Sequence, residues 1–307
     1  MPPAIYEFGA GSGALAAQVL EAFAQRGESP RYCIVEVSGE LRARQQERIA
    51  EAFPEAGTPR VEWLDSLPER IEGVVLGNEV LDAMPVRLFA LRDGRVCERG
   101  VIRGADAAFV FDERPASGRF EALVRSALEA SGWDGGGGWP PGYASEYGEQ
   151  AAAWMASVGA RLAHGAILLA DYGFPSAEYY HPQRDQGTLV GHYRHRVHAD
   201  VLWMPGLQDI SSHVNFSEIA EAARSAGLEC LGYVAQARFL MSCGLLERAA
   251  TLPDEGPVQR ARVGAALQQL LMESEMGELL KFIAFGRGVS DDAIGFAAGD
   301  RRLALQR

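Results

Sequence analysis

The chain has few cysteines and a shortage of basic residues, and each shortage excludes a class of protein. Its 307 residues include four cysteines, Cys33, Cys97, Cys230 and Cys243, without a CxxC pair or a compact scaffold spacing. This pattern predicts free thiols in a reducing compartment. The 29 lysines and arginines are outnumbered by 41 aspartates and glutamates, so the formal net charge is -12. Nucleic-acid binding therefore has no electrostatic basis, and a cationic partner is expected.

Long apolar runs are also missing. No segment approaches the length that spans a bilayer, and no basic region followed by an apolar core opens the chain. We therefore expect a soluble, cytoplasmic protein without membrane insertion. A hydrophobic fraction of 48% and a charged fraction of 23% are ordinary for globular proteins, which argues against overall disorder.

Strand and helix patterns alternate along residues 1–85. Short apolar runs predict strands at Ala4–Phe8, Tyr32–Val37, Arg60–Leu64 and Gly73–Gly77. Helical spacing of apolar residues predicts helices at Ala14–Gln25 and Glu40–Ala52. This alternation indicates parallel strands joined by right-handed crossovers, with ligands bound at the carboxyl ends of the strands.

The alternation stops after Pro85 and resumes later. Residues 86–145 predict an inserted subdomain, with a hairpin and a further strand and helix at Val86–Leu91, Val96–Arg103, Ala107–Phe111 and Arg119–Ser131. The Gly-rich and Pro-rich stretch Gly135–Gly142 predicts an irregular surface loop or a lid.

The last part, residues 146–307, is predicted to form one α/β domain together with residues 1–85. Its predicted helices and strands are Tyr147–Ala163, Gly165–Tyr172, Phe216–Ala226, Leu231–Ala235, Pro257–Glu273 and Phe282–Phe285. A polar excursion over residues 175–213 follows the fifth core strand, and loops of this length in compact domains are usually functional or mobile.

A glycine-rich turn joins the first strand to the first helix. Gly9, Gly11 and Gly13 let the backbone approach a ligand and leave helix N–H groups pointing into the crevice. The pattern with Ala14 at its sixth position also fits dinucleotide binding. Glu7 favours the other cofactor of such folds, S-adenosylmethionine, because a carboxylate suits a cationic amino-acid group better than a pyrophosphate.

Two carboxylates follow the next strands. Glu36 is placed to accept both ribose hydroxyls of a cofactor, a role that either cofactor class requires. Asp65 is a candidate for the adenine edge, although Asp65 and Ser66 also suit a helix cap.

Asn78-Glu79-Val80-Leu81-Asp82-Ala83-Met84-Pro85 follows the fourth strand and is the best catalytic candidate. Glu79 and Asp82 suit bidentate binding of a guanidinium, and the Asn78 amide oxygen can accept a hydrogen bond from cofactor or substrate. Methyl transfer needs such alignment of the acceptor atom and stabilisation of developing charge. The alternative is a purely structural turn built from Asn and Asp.

Five histidines crowd the excursion: His181, His192, His195, His198 and His213. The spacing of His192, His195 and His198 lacks a nearby Cys or a shared helix face, so we predict no metal site. A segment that binds substrate or closes over the cleft is the preferred interpretation, with a surface loop as the alternative.

The order of these motifs resembles the MidA-like methyltransferases, which include a mitochondrial complex I assembly factor that methylates an arginine. The matching blocks are Glu7–Gly13, Asn78–Pro85, Asp171–Gly173, Gly187–Leu189 with His192, Asp209–Phe216 and the terminal segment from Met276 to Gly288. The resemblance implies an α/β, Rossmann-like class I methyltransferase sheet, with S-adenosyl-L-methionine held by Gly9, Gly11, Gly13 and Glu36.

The resemblance also implies an activity, with Glu79 and Asp82 facing an acceptor arginine of a protein substrate such as a complex I subunit. Small-molecule methylation and partner binding without turnover stay open as alternatives, and so does the oligomeric state, a homodimer included. Family members carry a segment before the first strand that helps form the pocket, so we expect a truncated chain or another start site, with the activity of this form left open.

Overall fold

A computed structural model describes residues 4–54, 59–133, 139–194, 196–253 and 255–306. The strands of these residues are β1 (Ala4–Phe8), β2 (Arg31–Val35), β3 (Val61–Leu64), β4 (Ile71–Asn78), β5 (Arg87–Arg92), β6 (Arg95–Arg103), β7 (Phe109–Pro115), β8 (Ala144–Tyr147), β9 (Leu162–Phe174), β10 (Val190–Tyr193), β11 (Arg196–His198), β12 (Asp209–Ser211), β13 (Val214–Asn215), β14 (Glu229–Ala235) and β15 (Leu280–Arg287). The helices are α1 (Ala14–Gln25), α2 (Gly39–Ala52), α3 (Gly118–Ala130), α4 (Glu149–Arg161), α5 (Ser176–Tyr179), α6 (Phe216–Ser225), α7 (Gln236–Ser242), α8 (Leu245–Ala250), α9 (Pro257–Leu271) and α10 (Met276–Leu279), with short 3₁₀ turns at Ile294–Phe296 and Arg302–Leu305.

The chain divides into two compact units. The first comprises residues 1–80, 156–171 and 223–302, and the second comprises residues 81–155, 172–222 and 303–307. The predicted boundaries after residues 85 and 145 stay a prediction.

The first unit is built on a sheet with the strand order β14-β15-β9-β4-β1-β2-β3. Strands β1, β2, β3, β4 and β9 pair in parallel, and β14 pairs with β15 antiparallel. Parallel strands need crossover helices, and α1 and α2 fill that role between β1, β2 and β3. The order confirms the predicted α/β class with a mostly parallel central sheet.

The core of the first unit explains why α1 and α2 lie on this sheet. Ala16 and Leu20 of α1 and Ile49 of α2 are buried against Ile5, Tyr32 and Ile34 of the sheet. Burying such side chains contributes roughly 1.5–3 kcal/mol each. Because β1 passes directly into α1, this packing sets the position of the glycine-rich turn between them.

The second unit contains two further sheets. One has the order β7-β6-β5-β8 and the other β11-β10-β12. The first packs its core residues Phe89 and Val96 against Phe120 and Val124 of α3. The predicted hairpin over β5 and β6 is confirmed, with antiparallel pairs from Leu88 with Arg99 to Arg92 with Arg95.

Two predictions of local structure were wrong. Tyr147 does not begin a helix: it ends β8, where it pairs with Arg87 of β5, and helix α4 begins at Glu149. The polar excursion, residues 175–213, is not simply a loop, because it contains α5 and the sheet β11-β10-β12. At β8, pairing with a distant strand overrides the local pattern, whereas the strands of the excursion pair with one another. Residues 135–138, the first half of the predicted Gly135–Gly142 loop, lie outside the described residues.

Candidate functional site

The glycine-rich turn adopts a backbone that favours glycine at three alternate positions. Gly9, Gly11 and Gly13 have φ of 65°, 51° and 77°, in the left-handed region. The turn is closed by a 2.8 Å hydrogen bond from the Gly13 N–H to the Ala10 carbonyl. Gly13 is the N-cap of α1 and supplies no side chain to cap it. The positive end of the α1 dipole thus lies directly behind this turn.

The three glycines meet different surroundings. A Cβ on Gly9 would lie 2.9 Å from Cγ2 of Val80, and one on Gly13 would lie 3.1 Å from Cα of Gln45. A Cβ on Gly11 would meet nothing closer than the Gly9 carbonyl oxygen, at 4.0 Å. Packing therefore requires glycine at the outer two positions, whereas Gly11 borders open space that a ligand can enter.

Glu36 follows β2 and is held in place by two donors. Its Oε1 accepts from the Ser38 N–H at 2.8 Å, and its Oε2 accepts from Nε2 of Gln45 at 3.2 Å. The residue is only 9% exposed. A carboxylate has about four acceptor sites, so about two remain for hydroxyl groups of a ligand.

Gln45 was missed by the sequence analysis. Its side chain is fully buried, and Nε2 also donates to the Gly11 carbonyl at 3.0 Å. Its Oε1 accepts from the Trp63 indole N–H at 3.0 Å. A signal was present, because Gln45 lies four residues before the apolar Ile49 on the buried face of α2. A polar residue on such a face needs buried partners.

Asp65 lies on the exposed side of the same region. Its carboxylate forms an ion pair with Arg42, and the Arg42 guanidinium also donates to the Glu36 carbonyl at 3.0 Å. The Asp65 side chain is 82% exposed. Asp65 is thus near the backbone of Glu36, and its contact with an adenine edge stays a prediction.

Glu7 lies inside the sheet rather than on the turn surface. It is 2% exposed, and its Oε2 accepts from the Tyr32 hydroxyl at 2.8 Å. Burial raises the pKa of the Glu7 carboxyl, while the bond from Tyr32 acts in the opposite direction. Tyr32 therefore already occupies one oxygen of this carboxyl, and a direct contact of Glu7 with a cofactor stays a prediction.

Asn78 is the last residue of β4, Glu79 follows it, and both are exposed. The Asn78 amide nitrogen lies 3.4 Å from Oε1 of Glu79, and the Glu79 N–H donates to the Ala170 carbonyl at 2.9 Å. Glu79 has φ of 50°, a strained backbone for a residue with a side chain, costing about 1–3 kcal/mol. Strain of this kind concentrates at functional positions.

A buried carboxylate supports this strained turn. Asp171, 1% exposed at the carboxyl end of the β9 ladder with β4, accepts from the Val80 N–H at 3.1 Å. The sequence analysis named it only as the start of a matching block, Asp171–Gly173, and gave it no role. It anchors the backbone that carries Glu79.

Asp82 is the second residue of the second unit and is partly buried. Its carbonyl accepts from the Ser212 N–H at 3.1 Å. It lines a pocket of about 350 Å³ whose walls include the apolar side chains Leu88, Val101, Phe111, Leu189 and Ile210. The pocket therefore combines a carboxylate residue with apolar surface.

A buried carboxyl orders two of the other motifs. Glu146 of β8 is 1% exposed, and its Oε1 accepts from the backbone N–H and the hydroxyl of Thr188. The Tyr179 hydroxyl lies 3.0 Å from the same oxygen, and the His213 N–H donates to the Thr188 hydroxyl at 2.9 Å. Burial raises the pKa of Glu146. The Thr188 hydroxyl thus joins the segment around His213 to the Glu146 carboxyl.

The histidine cluster brings no metal-binding group together within the described part of the chain. No three His, Cys, Asp or Glu side chains there converge on one point. His192 lies 3.1 Å from the Ser211 hydroxyl, and His195 lies outside the described residues.

No helix among the described residues is long and apolar enough to cross a membrane.

Comparison with known proteins gives consistent relatives. A family model described as "Putative S-adenosyl-L-methionine-dependent methyltransferase" matches residues 2–234. Two crystal structures of Burkholderia thailandensis proteins are 48% identical to this chain and cover 97% of it. The native one has a TM-score of 0.89 and is covered to 78%; the other, bound to S-adenosyl-homocysteine, has a TM-score of 0.87 and is covered to 75%.

More distant relatives are mitochondrial proteins named protein arginine methyltransferase NDUFAF7. The Mus musculus protein is 28% identical and the Danio rerio protein 27% identical, each over 91% of this chain. The chain spans 66% of the length of the first and 68% of the second.

Proposed function

Because the chain belongs to the family of S-adenosyl-L-methionine-dependent methyltransferases, we propose that it methylates an arginine side chain of a protein. The proposed target is a subunit of respiratory complex I. The name of the NDUFAF7 relatives supports the arginine, and the resemblance to the family of the complex I assembly factor supports the target. The cytoplasmic location stays a prediction from the sequence, and the oligomeric state stays open.

The residues at the glycine-rich turn fit the cofactor, S-adenosyl-L-methionine. Open space borders Gly11, and the α1 dipole favours a carboxylate at its N-terminal end. Glu36 retains acceptor capacity for ribose hydroxyls. We propose that Gly9, Gly11, Gly13, Glu36 and Asp65 hold the cofactor directly. Glu7 was predicted in the same role, which requires access to its buried carboxyl.

The pocket beside Asp82 is the observation that carries the acceptor proposal. Its apolar walls suit the methylene stem of an arginine, and a carboxylate suits the guanidinium. Glu79 precedes Asp82 by three residues in the chain. We propose that both carboxylates orient the guanidinium and that the Asn78 amide oxygen accepts one of its hydrogen bonds.

The bound cofactor supplies an activated methyl group with a good leaving group. The acceptor guanidinium carries an extra proton at neutral pH, and a nitrogen that gains a methyl group must lose one proton. A Glu79 or Asp82 carboxylate beside the attacking nitrogen can accept that proton and pass it to water. The strained backbone at Glu79 is supported by Asp171, which accepts from the Val80 N–H.

The experiment measures methyl transfer from labelled cofactor to matched acceptors. We expect transfer to an arginine peptide from a complex I subunit, no transfer to its lysine counterpart and little to free arginine. Transfer to small metabolites but not to peptides would contradict the proposal and favour small-molecule methylation.

Carboxylate variants test the roles within the site. Glu79→Gln and Asp82→Asn keep the shape but lose the charge, and hydrogen bonds to charged groups contribute about 1.5–3 kcal/mol each, or roughly 10- to 150-fold in kcat/KM. Glu21→Gln, on the exposed face of α1, is the matched control and should leave the rate unchanged. Normal complex I assembly by a variant without turnover would instead support a role in partner binding.

A further inference from the structure

The buried amide of Gln45 links two parts of the cofactor region. Its Nε2 donates to the Gly11 carbonyl at 3.0 Å and to Oε2 of Glu36 at 3.2 Å. Its Oε1 accepts from the Trp63 indole at 3.0 Å. We infer that Gln45 is a positioning residue that, held by Trp63 and the Gly11 carbonyl, sets the Glu36 carboxylate in the geometry that binds the ribose hydroxyls of the cofactor.

The contacts determine which way the amide points. An indole N–H can only donate, so Oε1 must face Trp63. Nε2 then faces two acceptors and has one hydrogen for each. In the reversed orientation, the amide N–H would face the Trp63 N–H, and the amide oxygen would face both the Glu36 carboxylate and the Gly11 carbonyl. Trp63 therefore fixes the orientation.

Few other side chains can meet these demands. Glutamate lacks the donor hydrogens and would place a second negative charge beside Glu36, and methionine has a similar length but no donor. The bond to Glu36 is charge-assisted, and such bonds contribute more than neutral ones. The close approach of a Gly13 Cβ position to Gln45 Cα, 3.1 Å, shows that α2 packs tightly against the turn. The Gln45 amide is therefore well placed to couple the position of α2 to that of the glycine-rich turn.

This inference rests on the proposed role of Glu36 in holding the cofactor, and it makes a prediction that a merely structural role does not. If Gln45 acts through Glu36, its loss should matter only when the ligand carries ribose hydroxyls. We propose to measure the Kd of S-adenosylhomocysteine and of its 2′,3′-dideoxy analogue by calorimetry for Gln45→Met and Trp63→Phe. Gln46→Met, an exposed neighbour on α2, is the control.

The expected result is a 10- to 100-fold weaker Kd for S-adenosylhomocysteine in Gln45→Met, a smaller loss in Trp63→Phe, and no change in Gln46→Met. The dideoxy analogue should bind all four proteins, wild type included, within about threefold. In a Glu36→Ala background, Gln45→Met should add little, because the two side chains act on the same hydroxyls.

Several outcomes would overturn the inference. Equal losses for both ligands would mean that Gln45 stabilises the fold only, and wild-type affinity in Gln45→Met would mean that it positions nothing. If Gln45→Met fails to fold, Trp63→Phe still tests the inference, and equal losses for both ligands there overturn it. Wild-type affinity in Glu36→Ala would remove its premise. These binding results do not involve an acceptor, so a failure to methylate arginine peptides would count against the proposed function alone.

Discussion

Glu218 in α6 makes the stability of the second unit depend on pH in a way that one substitution can isolate. Its Oε1 accepts from the buried Tyr180 hydroxyl at 3.1 Å, and burial raises the pKa of this carboxyl to about 7. Glu218→Gln keeps the size of the side chain and removes the titration. The comparison of the two proteins across pH therefore reports on this group.

The magnitude follows from the two pKa values. The ordinary pKa is 4.5 and the folded value about 7, so between these values the unfolded chain has lost a proton that the folded chain still holds. Each pH unit in that window lowers the free energy of unfolding by about 1.36 kcal/mol, about 3 kcal/mol in all. The stabilisation is fully present below pH 4.5 and is lost as the pH rises through 7. Above pH 7 the contribution of this group to the free energy of unfolding is constant.

The assay is urea unfolding of the wild type and of Glu218→Gln between pH 4.5 and 8.5. We expect the difference in unfolding free energy between the two proteins to change by about 3 kcal/mol in favour of the variant as the pH rises. Slopes from the buried carboxyls of Glu7 and Glu146 occur in both proteins and cancel. Glu178→Gln, an exposed carboxylate of α5, should parallel the wild type. A difference that stays constant with pH would refute the argument that burial raises this pKa.

Three further predictions concern glycines. Gly11→Ala should cost only about 1–2 kcal/mol of stability for its left-handed backbone, yet should weaken S-adenosylhomocysteine binding at least tenfold in calorimetry, because the methyl group enters the open space there. Gly9→Ala should lower the melting temperature more than Gly11→Ala does, because its Cβ also contacts Val80; equal melting temperatures would contradict this. Gly187→Ala, where a Cβ would overlap the Glu146 carboxylate, should cost about 2–4 kcal/mol in urea unfolding, and a loss below 1 kcal/mol would count against a rigid network.

The elements predicted best from the sequence are those defined by local pattern. The strand Ala4–Phe8 and the helix Ala14–Gln25 are confirmed at both ends, because glycines punctuate an apolar run on one side and a helical pattern on the other. The strand Ala144–Tyr147 escaped prediction because it is short and gains its hydrogen bonds from β5, more than fifty residues away. Its last residue, Tyr147, was consequently assigned to a helix.

The candidate site divides in the same way. Gly11 and Glu36 follow strand ends and could be selected from sequence order alone, since carboxyl ends of parallel strands share one edge of the sheet. The roles of Gln45 and Asp171 could not be assigned in this way, although the position of Gln45 on the buried face of α2 was a signal. Their roles depend on partners supplied by other segments: Trp63 for the first, and the Val80 N–H for the second.

The sequence by itself determined the alternation of strands and helices over residues 1–85, the glycine-rich turn and the carboxylates that follow the strands, because each depends on neighbours a few residues apart. Only the tertiary structure decided which polar side chains are buried together, such as Gln45 with Glu36 and Glu146 with Thr188. The physical reason is that a buried polar group is tolerated only beside a matching donor or acceptor. Folding brings that partner from a distant part of the chain, and spacing along the sequence does not identify it.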